Sequence, residues 1–167
     1  MSELGFRPLA RDDLPLVDRW LHTEHVRRWW PPYPDLEAHY GPALAGDDPT
    51  DVHLVLEDGR PVGLIQSYVV VDHPEWEELV QVGPGVAGID LLLGEAAAVG
   101  RGLGPRVLAE YTSRIVFADP AVHACVAGVD VRNDRSLRAF AKAGFEPVRD
   151  YVEEGRPHRL VRLARPA

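Results

Sequence analysis

One cysteine, one lysine and one methionine, the initiator, are all that this 167-residue chain has of those three residue types. A lone thiol closes no internal disulfide and builds no cysteine-rich zinc site. Cys125 sits in the apolar run Val122–Val129, where it reads as core, and a reducing cytoplasm is the expected compartment. With Lys142 as the single lysine and no Gly-Lys-Ser/Thr triplet, a Walker phosphate loop is excluded. The seven histidines show no metal-ligand spacing, so no metal is expected. Long apolar runs are missing too. The first twenty residues carry Glu3, Arg7, Arg11, Asp12, Asp13 and Asp18, which argues against a signal peptide or membrane span and for a soluble, intracellular protein. The remaining composition, 46% hydrophobic and 26% charged, rules out a disordered, collagen-like or coiled-coil chain. A single domain over residues 1–167 is the expectation.

Basic charge is scarce in one stretch. Residues 1–28 balance at five acidic and five basic side chains, but residues 29–100 hold thirteen acidic groups against Arg60 alone. Residues 101–167 reverse the sign, with eight acidic and twelve basic. If these stretches line two halves of one site, the middle attracts a cation and the C-terminal part holds a phosphate-rich group; the competing reading is two merely solvated faces. Nucleic acid is a poor partner for a chain of net charge −8.

Periodicity places the elements. Leu4–Leu9 reads as a strand, and Asp12-Asp13-Leu14-Pro15 opens an amphipathic helix that Trp29-Trp30-Pro31-Pro32-Tyr33-Pro34 breaks. Asp35 caps a helix running to about Ala45. Val52–Glu57 and Pro61–Val71 flank Asp58-Gly59 as a hairpin, and residues 72–85 read as an irregular loop. Val86–Leu93 is a strand, Gly102–Ala118 a helix, Val122–Val129 a buried strand, Asn133–Ala143 a helix, and Phe145–Val152 with His158–Leu163 a last hairpin. This order argues an α+β fold: one mixed, mostly antiparallel sheet with a βαβ crossover.

Between the strand at 86–93 and the next helix lies Val99-Gly100-Arg101-Gly102-Leu103-Gly104. Glycines at alternate positions before a helix N-terminus offer backbone N–H groups to an anion such as a pyrophosphate, and Arg101 adds a fixed charge. The Rossmann spacing Gly-x-Gly-x-x-Gly is absent, so a dinucleotide site is not indicated. A tight strand-to-helix turn with no ligand is the bland alternative.

That loop, followed by Asn133-Asp134-Arg135-Ser136-Leu137-Arg138-Ala139-Phe140-Ala141-Lys142-Ala143-Gly144-Phe145, resembles the GCN5-related N-acetyltransferase (GNAT) superfamily. Trp29-Trp30, Gln66-Ser67-Tyr68, Glu75-Trp76-Glu77-Glu78 and Pro84-Gly85-Val86-Ala87-Gly88-Ile89-Asp90 narrow the likeness to aminoglycoside 6'-N-acetyltransferases, from about Phe6 to Leu163. The resemblance implies a GNAT fold whose crossover binds acetyl-CoA, the cosubstrate. It implies cofactor contacts at Leu91, Leu92 and Leu93, at Val99 through Gly104 (Gly100, Arg101, Gly102 and Leu103 included), and at Asn133, Ser136 and Lys142. The acceptor would be a small polycationic amine held by Trp30, Tyr40, Gln66, Ser67, Trp76, Asp90, Asp130 and Glu154, with neither nucleic acid nor membrane as partner, in a monomer or homodimer.

An acceptor ammonium must lose a proton before attack on a thioester. Asp90, acidic within an apolar strand, is the candidate base, because burying a carboxylate unpaired costs several kcal/mol without a purpose; pairing with Arg101 is the structural alternative. A backbone N–H at Leu91 or Leu92 would stabilise the oxyanion. Phe140 stands where the family commonly has a tyrosine acid, so that role is vacant, or filled by water or a residue such as Tyr111. Acyl transfer to another amine, whether a polyamine, a lysine or siderophore precursor or a protein N-terminus, and CoA binding without catalysis, remain as alternatives.

Overall fold

A computed structural model describes residues 1–167. Seven strands form one sheet in the order β1-β2-β3-β4-β5-β7-β6. They are β1 (Leu4–Pro8), β2 (Asp51–Glu57), β3 (Arg60–Val69), β4 (Val86–Leu93), β5 (Ala124–Asp130), β6 (Glu146–Glu153) and β7 (Arg156–Ala164). The helices are α1 (Leu14–Leu21), α2 (Glu24–Arg27), α3 (Leu36–Ala45), α4 (Pro74–Val80), α5 (Leu103–Arg114) and α6 (Asp134–Lys142). β4 and β5 pair parallel across α5, while β1 with β2, β5 with β7 and β6 with β7 pair antiparallel, as a mixed α+β sheet requires.

Local chemistry explains most boundaries. The Asp35 carboxylate accepts from Ala38 N at 3.1 Å to open α3, and Gly46 at φ +82° closes it. Asp58 and Gly59, both at positive φ, make the tight turn between β2 and β3, and Glu154-Gly155 does the same between β6 and β7. The loop expected over residues 72–85 is a correction, for α4 occupies its first half. Pro74 starts the helix with a preset φ, and Glu75 and Glu77 suit the positive end of its dipole. Its stop is Gln81 in the left-handed region at φ +51°, a position where glycine or asparagine is the usual signal.

Two compact units share the chain. Met1–Gln66 with Leu91–Arg101 encloses a core of Val17, Trp20 and Leu21 from α1, Tyr40 from α3, and Leu54, Leu64 and Leu92 from the strands. Ser67–Asp90 with Gly102–Ala167 packs Val70, Val80, Val86, Ala124, Val126, Tyr151 and Leu160. In this second unit the β4–β5 ladder ends at Gly88 opposite Val126, whereas β5 stays paired with β7 as far as Asp130.

Candidate active site

A cavity of about 570 Å3 opens in the second unit, within the usual range for small-molecule sites. Tyr68 of β3, Asp90 of β4 and Gly128 of β5 line it together with His73, Glu75, Trp76 and Leu79 at α4, and Tyr151, Val152, Glu153 and Glu154 at the β6 hairpin. Two glycines give the rings their places. A Cβ at Gly88 would meet Tyr68 and Trp76 at under 3 Å, and one at Gly128 would overlap the Tyr151 hydroxyl. Tyr68 packs edge-on to Trp76 at 5.7 Å and to His73 at 4.8 Å, which leaves its hydroxyl to bond with Asp90.

Asp90, Glu75, Glu153 and Glu154 bring four carboxylates to this space, with no lysine or arginine among the lining residues. Burial, and then the Asp90 charge, pushes the Tyr68 phenol far above its ordinary range, so it stays protonated and donates to Asp90. Burial also pushes up the Glu153 carboxyl, with Glu154 and Asp90 adding to the shift and His158 opposing it. The Tyr151 phenol, lifted to about 12 mainly by burial, is likewise protonated at neutral pH. Cys125 is fully buried with its thiol pushed up by desolvation, an inert core residue as expected.

The glycine loop ends at the N-terminus of α5. Gly100 at φ +79° and Gly102 at φ +77° take conformations that other residues avoid, and a Cβ at either would point into open space. Gly102 caps α5 without a side chain, so the first-turn N–H groups keep their donors for a ligand. This arrangement fits a pyrophosphate. Gly104 faces α6, where a Cβ would make only an ordinary van der Waals contact with Ala139 at 3.5 Å. Along β4, the Leu92 carbonyl is turned toward Gly63 of β3, while His25 donates to the Leu93 carbonyl at 2.9 Å. Alternation along a strand therefore sends the Leu91 N–H to the edge of β4 away from β3.

Several expected residues are placed otherwise. Tyr40 is 2% exposed within the α1 and α3 core, so a sugar wall there is ruled out. Ser67 is buried and shares a hydrogen bond of 3.1 Å with Tyr111, because alternation turns it to the face of β3 opposite Tyr68. The same bond occupies Tyr111, which is fully buried and is no substitute acid. Asp130 is bound by the Arg132 guanidinium at 2.8 Å and by its backbone N–H, which hold its carboxyl down at about 2 and away from the cavity lining. Arg101 pairs with Glu57 at 2.8 Å, so neither the suggested Asp90 partner nor a free loop charge is found in it. Asn133 caps α6 by accepting from Ser136 N at 3.2 Å, Lys142 is exposed in the last turn, and Phe140 packs edge-on against Phe145. Trp30, half-buried, donates to the Tyr33 hydroxyl at 2.9 Å, and Gln66 is half-buried on β3. Trp76, Asp90 and Glu154 are the expected acceptor residues that the cavity brings together. Tyr68, Glu75, Tyr151 and Glu153 join them unanticipated.

A model of the acetyltransferase (GNAT) domain matches residues 10–152. The aminoglycoside N(6')-acetyltransferase type 1 of Klebsiella pneumoniae is 32% identical over 153 residues, which covers 87% of this chain and 75% of the relative. The chain belongs to the GNAT acetyltransferase family. This acetyltransferase also superposes on the aminoglycoside acetyltransferase AAC(6')-Ib solved with coenzyme A and kanamycin, with a TM-score of 0.88 and 28% identity over 98% of this chain and 95% of the other. A kanamycin resistance protein of Rhizobium radiobacter is 38% identical over 71 residues, or 42% of the acetyltransferase and 63% of that protein.

Proposed function

We propose that this acetyltransferase moves the acetyl group of acetyl-CoA to the 6'-amino group of aminoglycosides, as one catalytic domain over residues 1–167. The observation that carries the reading is the aromatic cavity around Asp90, with four carboxylates and no lining lysine or arginine. Such a space favours a polycationic ring system, and the likeness to the relative solved with coenzyme A and kanamycin supports it.

Acetyl-CoA, when bound, supplies an activated acetyl thioester. The backbone N–H groups of Val99–Gly104 and the first turn of α5 would hold its pyrophosphate, with Asn133, Ser136 and Lys142 as further contacts on α6. In the cavity, Glu75, Glu153 and Glu154 attract the acceptor's ammonium groups, and the Trp76 ring offers a face to a sugar. Asp90 takes the proton from the reacting ammonium, directly or through one water, while the Tyr68 O–H holds one side of the carboxylate in place. The Leu91 N–H is the donor available to the developing oxyanion. Phe140 donates no proton; a thiolate is a far weaker base than the acceptor nitrogen, so it can depart as the anion and take its proton from solvent.

Thiol release by the purified protein with kanamycin, tobramycin, spermidine and lysine derivatives tests the proposal, with the acetylated position read by NMR. Kanamycin and tobramycin are expected as substrates modified at the 6' nitrogen, and a drug with a 6'-hydroxyl is expected to be inert. A higher kcat/KM for spermidine or lysine overturns the aminoglycoside assignment in favour of another amine.

A further inference from the structure

Arg101 sits between two positive-φ glycines in the loop assigned above to the pyrophosphate, where a free guanidinium would be the natural phosphate ligand. Its side chain is turned to other work. The Nε donates to the Ala97 carbonyl at 2.7 Å, folding the guanidinium back over the Ala96–Ala98 turn. A terminal nitrogen then reaches Glu57 at the end of β2 at 2.8 Å. The Glu57 side chain is only 15% exposed, and its second oxygen accepts from the Ser2 hydroxyl at 2.7 Å. A largely buried carboxylate thus neutralises the arginine and anchors the segment at its far end.

The near end of the same segment is anchored in parallel. Gly94 N and Glu95 N both donate to the Val62 carbonyl, at 2.8 and 3.2 Å. The Trp20 ring fills the place of a Gly94 Cβ, and the Glu95 carboxylate accepts from Trp20 Nε1 at 2.9 Å and Arg19 at 2.8 Å. Residues 94–101 are therefore stapled at both ends by side-chain contacts.

We propose that Arg101 is a positioning residue, which acts through Glu57 and Ala97 to preset the loop backbone for acetyl-CoA rather than binding a phosphate itself. The inference rests on the assignment of this loop to the pyrophosphate. Presetting matters because each backbone N–H binds an anion only when its direction is already right, and ordering a slack loop subtracts from affinity.

Calorimetric CoA titrations of the wild type, Arg101→Gln, Glu57→Gln and the double variant separate the roles, alongside the two KM values, kcat and Tm. A positioning pair predicts that either single change weakens CoA binding by about three- to tenfold and that the double is no worse than the worse single. KM for acetyl-CoA should rise by that factor with kcat and the acceptor KM within twofold. The exchanged pair, Glu57→Arg with Arg101→Glu, should recover part of the loss. A direct phosphate ligand predicts the opposite asymmetry: Arg101→Gln weakens binding, while Glu57→Gln leaves it unchanged or tightens it by releasing the charge. That result overturns the inference, as does a fall in Tm with both KM values moving together. Failure of the wild type to bind CoA at all would remove the pyrophosphate assignment itself, and the inference with it.

Discussion

Two parts of this chain offer nearly the same residue types for a sugar site, and they use them in opposite ways. Around α3, Trp30 donates to Tyr33, Tyr33 stacks on His39 at 3.5 Å, and Tyr40 meets both rings edge-on within the first core. The carboxylates there are spent as well: Asp35 caps α3, Glu37 pairs with Arg11, and Asp48 holds Thr50 in a turn. Around α4, Tyr68, Trp76 and Tyr151 frame an open space, and the carboxylates beside them face it. Aromatic and acidic content therefore does not mark a binding wall; carboxylates and rings gathered around an open cavity do.

The largest expected effect that sharpens this contrast is at Asp90. Asp90→Asn should lower kcat by about two orders of magnitude or more, with CoA affinity near the wild-type value, since the amide keeps the shape and cannot accept the proton. Steady-state kinetics with calorimetry on the same protein checks it; activity within a few-fold of wild type would make Asp90 structural. Next come matched truncations of the two aromatic regions. Tyr40→Ala should cost about 3–5 kcal/mol of stability in denaturant unfolding and leave the acceptor KM unchanged in protein that folds. Trp76→Ala should raise the acceptor KM by about tenfold or more with KM for acetyl-CoA unmoved. A Tyr40 variant with intact stability and a raised acceptor KM would break the comparison.

The sequence made the scaffold legible because its signals are local. Asp58-Gly59, the Asp35 cap, Gly46 and the uninterrupted apolar run of β4 each act over a few residues, and the strand Val86–Leu93 is found with its expected ends. The site was legible where a motif carried it, at Trp76 and Asp90, while Glu154 came from the resemblance alone. It was obscured where tertiary contact decides. Gln66 and Ser67 share one motif, yet a period of two along β3 places Ser67 on the opposite face from Tyr68, an alternation readable in the sequence. Tyr151 over Gly128 was not, since the two lie on separate strands. The charge count misled for a related reason. Of the thirteen carboxylates in residues 29–100, only Glu75 and Asp90 line the cavity, while Glu57, Glu77 and Glu95 accept from Arg101, from the N–H groups of Val82 and Gly83, and from Arg19. The other two cavity carboxylates, Glu153 and Glu154, come from the stretch that counted as basic.

A subtler difference is expected from Tyr68→Phe, which keeps the ring packing and removes the hydroxyl that bonds Asp90. A donated hydrogen bond favours the charged carboxylate, so its loss makes the base easier to protonate. The acidic limb of kcat/KM against pH should move upward by roughly 0.5–1 unit, the equivalent of about one hydrogen bond. Tyr33→Phe in the α3 cluster should leave the limb in place, and equal shifts in both variants would erase the distinction.

The smallest expected effect concerns Glu153. Burial raises its carboxyl above the ordinary range, and the nearby Glu154 and Asp90 charges raise it further. The group therefore takes up a proton at higher pH than an exposed glutamate, and with that proton it loses its attraction for an acceptor ammonium. The acceptor KM should rise as pH falls from neutrality through the raised Glu153 range, by roughly two- to fivefold, the scale of one partly screened charge pair. Glu153→Gln should start at the higher KM and show a flatter profile. The sign for folding follows from the same shift. A carboxyl with its folded pKa above the unfolded value binds its proton more tightly in the folded state, so its contribution to stability is greatest at low pH and declines as pH rises through the folded value. An ammonium in the cavity offsets that decline, so acceptor binding near the raised Glu153 range should release protons, measurable as a buffer-dependent enthalpy in calorimetry. Glu37→Gln, at a carboxylate already paired with Arg11 outside the cavity, should leave both the KM profile and the proton release unchanged.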